Sequence, residues 1–284
     1  MTRDLEGRVF LVTGATEGIG KMACRAFAER GATLAITARN RDKGERLVSE
    51  WKATTGNDRI EIYLGDLSKQ EDVRTVARAF RAKHERLDVL CNNAGAIFVR
   101  YEESADGFEM TFALNHLSYF LLTHELLPLL KKTDGARVVS TSSAAHRRGT
   151  LDLDAVAHRP SRTVGYPVYG DSKLANILFT RELARRLAGS GVVANCFHPG
   201  FVRTAFGRND FGLLAIGVRI GGLFARTPEK GAETLIWLAA NPDAGRFSGE
   251  YFFDCAVAQT SALAKDGRLA ERLWALSEKC CGLS

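Results

Sequence analysis

Tyr169 and Lys173 stand four residues apart, and on a helix that spacing puts both side chains on one face. A phenol can give or take a proton, yet free tyrosine, with a pKa of about 10, exchanges poorly near neutral pH. A lysine ammonium close by favours the phenolate and makes the pair a usable acid and base. A carbonyl accepting hydride calls for that chemistry, because its oxygen develops negative charge and needs a proton or a hydrogen-bond donor. A hydroxyl-rich run, Ser140-Thr141-Ser142-Ser143-Ala144, precedes the pair, and a glycine-rich turn, Thr13-Gly14-Ala15-Thr16-Glu17-Gly18-Ile19-Gly20, lies far upstream. Each feature alone is a weak signal. Together and in this order they point to a dinucleotide-dependent oxidoreductase.

Side chains so far apart in sequence need a scaffold that gathers them. Short apolar runs at 8–13, 33–37, 60–64, 87–91, 138–140 and 192–197 read as buried strands. Between them, polar or amphipathic stretches at 18–30, 41–54, 69–83, 105–131 (interrupted late by Pro128) and 169–188 read as helices. Strands separated by helices imply parallel pairing, since parallel neighbours require a crossover. Runs apolar on both faces imply helices on both sides of the sheet. The expected fold is therefore α/β: one doubly wound Rossmann domain over 1–284, with a central parallel sheet flanked by helices. His146 to Pro167 is polar and loop-like. An apolar, Gly-rich segment within about 204–226 should sit at the carboxyl edge of the sheet, where open α/β folds bind ligands. Its Phe206, Phe211, Leu213, Leu214, Ile216, Ile220 and Phe224 would suit a lipophilic substrate lid; a packing or dimer surface is the alternative.

At the first strand-to-helix junction, glycines let the chain reverse tightly and let backbone N–H groups approach a pyrophosphate. The dipole of the following helix favours the same phosphates. After the second strand the sequence reads Thr37-Ala38-Arg39-Asn40-Arg41, with no acidic residue for the ribose hydroxyls. Arg39 would pair with a 2′-phosphate, which favours NADP(H) over NAD(H); a solvated strand-end residue is the alternative.

The Gly-x-x-x-Gly-x-Gly spacing resembles the short-chain dehydrogenase/reductase family, and the resemblance runs from about residue 8 to 282. Asp66-Leu67 is similar to the family's adenine-contacting motif. Cys91-Asn92-Asn93-Ala94-Gly95 matches the Asn-Asn-Ala-Gly motif bordering the cofactor, apart from Cys91 at a usually aliphatic position. His198-Pro199-Gly200-Phe201-Val202-Arg203-Thr204 resembles the Pro-Gly-x-x-x-Thr segment, whose threonine would contact the nicotinamide amide. The resemblance implies cofactor contacts from Gly14, Thr16, Glu17, Gly18, Ile19, Gly20, Arg39, Asp66, Leu67, Asn93, Ala94, Gly95, Tyr169, Lys173, Pro199, Gly200, Val202 and Thr204. It implies a catalytic set of Asn115, Ser143, Tyr169 and Lys173, with Ser142 the rival to Ser143. In that set Tyr169 is the acid and base, Ser143 holds the substrate oxygen, and Asn115 supports a water linking Lys173 to solvent. Local wording around Asn115-His116-Leu117 and Ser142-Ser143-Ala144-Ala145-His146 resembles the retinol-dehydrogenase branch. The implied substrate is a small lipophilic carbonyl or alcohol: an aldehyde, a ketone or a retinoid-like compound. A non-catalytic NADP(H)-binding sensor or scaffold would keep this architecture but usually loses the tyrosine or lysine, and both are present.

Composition narrows the rest. The 284 residues are 45% apolar, with a formal charge of +6 from Lys and Arg spread along the chain; this is a globular composition that argues against nucleic-acid binding. The cysteines at 24, 91, 196, 255, 280 and 281 have no metal-ligand spacing and ask for no disulfide, so no metal is expected. Met1 to Arg8 is polar, with no signal peptide or span, so a cytoplasmic protein is the expectation. His116, His146 and His198 lack a nucleophile elbow and read as structural. Whether the chain forms a homodimer or homotetramer is open, as is whether the amphipathic stretch from Leu269 to Leu276 docks on its own domain or on a partner.

Overall fold

Val9, Phe10, Leu11 and Val12 alternate between two apolar layers: Val9 and Leu11 face one core, Phe10 and Val12 the other. Such a strand is stable only inside a sheet covered on both faces. In the computed structural model, which describes residues 2–158, 164–202 and 225–283, it is β1 (Val9–Val12) of an eight-stranded sheet. The other strands are β2 (Thr33–Ala38), β3 (Ile60–Leu64), β4 (Val89–Asn92), β5 (Arg137–Thr141), β6 (Val193–Phe197), β7 (Tyr251–Phe253) and β8 (Ala256–Val257). Their order is β3-β2-β1-β4-β5-β6-β7-β8. All neighbours pair in parallel except β8, which closes the edge antiparallel to β7. Val12 pairs with Ile36 on one side and Cys91 on the other, so the strand order reverses between β1 and β4. Open α/β sheets bind their ligands at such a switch point, beyond the carboxyl ends of the strands.

On one face lie α1 (Gly18–Glu29), α2 (Arg41–Thr55) and α7 (Pro228–Ala240), contributing Phe27, Trp51 and Leu235 to the core. On the other lie α3 (Gln70–Lys83), α5 (Ser118–Lys132), α6 (Tyr166–Arg186) and α8 (Gly267–Cys280), contributing Phe80, Phe120, Leu174 and Trp274. Each such side chain, fully buried, stabilises by roughly 1.5–3 kcal/mol. The carboxy-terminal amphipathic stretch docks on its own domain: Trp274 meets Phe120 at 4.8 Å and Phe179 at 6.0 Å, and the Arg186 guanidinium lies 4.4 Å from its ring.

The helix expected over 105–131 differs in two respects. It starts later, because Gly107 takes φ +79° and its N–H closes a turn on Ser104. The Glu109 carboxylate then accepts from Thr111 N and Phe112 N, capping a short α4 (Met110–Phe112). A π-helical turn, Ala113–Leu117, joins α4 to α5. Pro128 lies inside α5 without ending it; the ring faces solvent while Leu126, Leu129 and Leu130 stay buried. The loop-like stretch after His146 also yields earlier than expected to α6, which starts at Tyr166. Thr204 and residues 206–224 of the expected lid lie outside the described residues.

Candidate active site

The glycine-rich turn is tied to β4 by side chains at its base. Thr13 Oγ1 accepts from Asn93 N at 2.8 Å and Ala94 N at 3.0 Å. Asn93 Nδ2 donates to Thr13 O at 3.1 Å and Gly14 O at 3.2 Å, and its Oδ1 accepts from Thr141 Oγ1 at 3.1 Å. Asn93 thus links the ends of β1, β4 and β5. Two glycines are required by space: a Cβ on Gly14 would meet Ala94 Cα at 2.8 Å, and one on Gly20 would meet Gly14 O at 2.2 Å. Glu17 at the N-cap gives α1 no side-chain hydrogen bond and is instead ion-paired with Lys43. Among the described residues no side chain caps the first amides of α1, and their donors and the positive dipole end of the helix suit a phosphate. A dinucleotide fits this chemistry.

The remaining described cofactor candidates follow the carboxyl ends of strands in the same sheet. Arg39 is exposed just after β2, with no hydrogen bond or ion pair among the described residues. Asp66, after β3, accepts from Ser68 N and Oγ on Oδ1, and Leu67 is buried. Ile19 and Val202 pack over Gly231, where a Cβ would meet them at 2.9 and 2.6 Å. Pro199 and Gly200 follow β6, with Gly200 at φ +82°.

Around Tyr169 the hydroxyl, amide and ammonium candidates converge. Lys173 is 2% exposed; its Nζ donates to Thr141 O at 3.1 Å and lies 5.4 Å from the Tyr169 ring and 5.7 Å from that of Tyr119. The Ser143 and Tyr169 side chains share a hydrogen bond. Ser142, in contrast, is buried and donates its hydroxyl to Lys173 O at 2.8 Å. Asn115, in the π-helical turn, is clamped to Ala96: Oδ1 accepts from Ala96 N and Nδ2 donates to Ala96 O, each at 2.9 Å. Gly95 lets this clamp approach Lys173, since a Cβ there would lie 3.0 Å from Asn115 Oδ1 and 3.5 Å from Lys173 Nζ.

The Tyr–Lys spacing implies a lysine whose charge, with that of an oxidised nicotinamide, favours the phenolate; among the protein's own groups burial dominates both residues. It pushes the Tyr169 phenol up, opposed by the hydrogen bond to Ser143, and pulls the Lys173 ammonium down to about 7. Both groups are driven toward their neutral forms.

The family model described as short chain dehydrogenase matches residues 8–211. The chain belongs to that family. It is 41% identical over 282 residues to retinol dehydrogenase 11 of Homo sapiens, covering 99% of this chain and 88% of that protein. It is 42% identical over 279 residues to retinol dehydrogenase 12 of Bos taurus, covering 98% and 88%. Among solved structures it resembles a protein from Mycobacterium paratuberculosis, at 33% identity and a TM-score of 0.79, covering 99% of this chain and 97% of that one. The RhlG/NADP active-site complex of Pseudomonas aeruginosa follows at 28% identity and a TM-score of 0.71, covering 94% and 98%. This short-chain dehydrogenase is of the retinol-dehydrogenase-like branch, an NAD(P)-dependent oxidoreductase acting on CH–OH and C=O groups.

Several residues that shape the dehydrogenase's site escaped the sequence reading. Thr13 and Thr141 carry bonds that fasten the turn and Lys173, and Ser172 accepts from Asn115 Nδ2 at 3.1 Å. Each sits beside a motif residue, which is the only signal the sequence offers. Two histidines are structural: His116 is fully buried between Asn176 and Ser277, and His198 stacks on Phe253 at 4.1 Å. Burial lowers each to about 4. Among the described residues no group of three or more His, Cys, Asp or Glu could hold a metal ion, and no helix is long and apolar enough to cross a membrane.

Proposed function

We propose that the protein is an NADP(H)-preferring oxidoreductase of lipophilic aldehydes, ketones and secondary or retinoid-like alcohols, with Tyr169 as its acid and base. The observation that carries this reading is the convergence on Tyr169 of the Ser143 hydroxyl and the buried Lys173 ammonium, beside a turn fit for a pyrophosphate. NADP(H), when bound, supplies or takes the hydride. Gly14, Thr16, Glu17, Gly18, Ile19 and Gly20 would hold its phosphates, with Asp66 and Leu67 toward the adenine. Asn93, Ala94, Gly95, Pro199, Gly200, Val202 and Thr204 would border the nicotinamide half. Arg39, exposed and without an acidic neighbour at the end of β2, favours a 2′-phosphate and so NADP(H), with NAD(H) second. The Pseudomonas aeruginosa RhlG relative, a complex with NADP, agrees with that order.

Ser143 holds the substrate oxygen toward the phenol. Tyr169 gives its proton to that oxygen in reduction and takes one from the alcohol in oxidation. Lys173 supplies positive charge to the phenolate, and Asn115 supports a water through which the lysine exchanges protons with solvent. The names of the retinol dehydrogenase relatives support a lipophilic substrate, as does the apolar sequence of 206–224. The composition and reduced cysteines suit the cytoplasm.

NADPH and NADH oxidation by purified protein against a panel of lipophilic aldehydes and ketones tests the reading. Turnover preferring NADPH and lost in Tyr169→Phe, with NADPH affinity retained, is expected. Undiminished turnover in Tyr169→Phe would overturn the assignment.

A further inference from the structure

Ser143 can present its hydroxyl to Tyr169 only if the turn that carries it is held still. On one side it rests on α6. Ser142 Oγ donates to Lys173 O at 2.8 Å, and the turn approaches Gly170 so closely that a Cβ there would lie 3.0 Å from Ala145 O. On the other side stands His146, 0% exposed. Its Nδ1 lies 2.7 Å from Ser143 O. A carbonyl oxygen only accepts, so Nδ1 carries the proton. Nε2 therefore keeps its lone pair and accepts the Ser261 N–H at 3.2 Å. Arg147 adds a second tie to the same carboxy-terminal segment, donating to Gln259 O at 2.6 Å.

We propose that His146 is a positioning residue for the Ser143 hydroxyl, acting as a neutral strut between the serine turn and residues 259–261. This rests on the hydride-transfer reading given above. The ring is suited to the role because it offers a donor on one edge and an acceptor on the other at a fixed separation, and its orientation is held by edge-on packing against Tyr251 at 5.0 Å. Asparagine can reproduce only the Nδ1 edge, which meets Ser143, and glutamine only the Nε2 edge, which meets Ser261. A residue that served stability alone would be indifferent to which edge is kept. A strut for Ser143 is not.

The test compares His146→Asn and His146→Gln, alone and combined with Ser143→Ala, by kcat, KM, NADPH Kd and melting temperature. The Asn variant is expected to keep kcat within about threefold, and the Gln variant to lose about tenfold, the worth of one positioning hydrogen bond. Melting temperatures and NADPH Kd should be alike in the two. In the Ser143→Ala background the Gln substitution should cost nothing more, because the group it positions is gone. Equal kcat in the Asn and Gln variants, a full additional loss on top of Ser143→Ala, or losses that follow NADPH affinity would each overturn the proposal. A measurement that needs no variant is the nitrogen-15 spectrum of the wild-type His146 ring, where the Nδ1–H tautomer is expected and the Nε2–H tautomer would overturn it. Wild-type protein without turnover on any carbonyl would sink both this inference and the reading beneath it. An inactive Tyr169→Phe beside a fully active His146→Gln would sink this inference alone.

Discussion

Gly20 lies in the first turn of α1, where alanine would ordinarily be the better residue by about 1 kcal/mol. Here its Cβ would stand 2.2 Å from Gly14 O and 2.6 Å from Asn93 Nδ2. Real Cβ atoms essentially never come nearer than 3.0 Å to such atoms, so the gap to Gly14 O must open by at least 0.8 Å. Neither neighbour yields freely: Gly14 is backbone at φ +65°, and Asn93 is tied to Thr13 O, Gly14 O and Thr141. The displacement therefore goes into the turn whose amides would meet the pyrophosphate. Overpacking of this kind costs about 1–3 kcal/mol, and the helix-propensity gain offsets part of that, so the fold should survive with a modestly lower melting temperature. If the same strain reappears when the turn must regain its geometry to bind, NADPH affinity should fall about 10- to 100-fold, at 1.4 kcal/mol per tenfold. Fluorescence titration with NADPH measures the affinity and circular dichroism the fold. Gly267→Ala, where nothing lies within 4 Å of the new Cβ, is the control. A Gly20→Ala protein that binds NADPH within about threefold of wild type would refute the steric reasoning, since binding at that level needs an undisturbed turn.

Other perturbations probe the cofactor end, the core and the acid limb. Arg39→Asp removes the cation proposed for the 2′-phosphate and should weaken NADPH binding about 10- to 100-fold, the worth of a charge-assisted pair, while NADH binding changes little; equal losses in the two titrations would exclude Arg39 from that role. Trp274→Ala empties the seat between Phe120 and Phe179 and should cost about 3–5 kcal/mol in urea unfolding, whereas a loss below about 1 kcal/mol would mean that α8 is not part of the folding unit. His116 titrates near 4 in the fold against 6.5 in a free chain, so between those values the unfolded chain binds a proton that the folded one refuses. Stability should thus fall as pH drops from 6.5 to 4, by about 3 kcal/mol from this one group. His198 adds its own depressed titration in the same window, so His116→Gln should flatten the acid limb relative to wild type rather than abolish it. An unchanged slope would show that His116 titrates normally in the fold.

The sheet was legible because parallel strands buried on both faces are written as continuous apolar runs, and β1 through β6 lie within two residues of the expected runs. The glycine turn was legible for a different reason: a position such as Gly20 tolerates no Cβ, and sequence records that directly. The long helix was less so. Gly107 and Glu109 could have marked its true start, but the π-helical turn at Ala113–Leu117 has no signature in an apolar run. It is set by tertiary bonds such as the clamp of Asn115 on Ala96. The resemblance favours Ser143 over its neighbour Ser142, but what separates the two physically lies across space and not along the chain: Ser142 faces Lys173 O and Ser143 faces Tyr169. Docking of the carboxy-terminal helix was equally hidden, because Trp274 finds its partners on α5 and α6 rather than near itself in sequence.

Burial of the tyrosine–lysine pair has a consequence for direction. Desolvation drives each member to its neutral form, which for Tyr169 means holding the proton and for Lys173 means releasing it near pH 7. On the proposed chemistry, reduction needs a protonated phenol at the outset, and burial provides it without help. Oxidation needs the phenolate, and the phenolate–ammonium pair holds the same number of protons as the neutral pair. It therefore becomes available, with the oxidised nicotinamide beside it, once Tyr169 and Lys173 together lose one proton as pH rises. The two directions should therefore respond differently to pH. The reduction rate should be nearly flat from about pH 6 to 8, and the oxidation rate should climb toward alkaline pH as the phenol is forced to ionise. Superimposable profiles in the two directions would mean that the protonation state of Tyr169 governs neither rate, and the electrostatic account of the pair would fall.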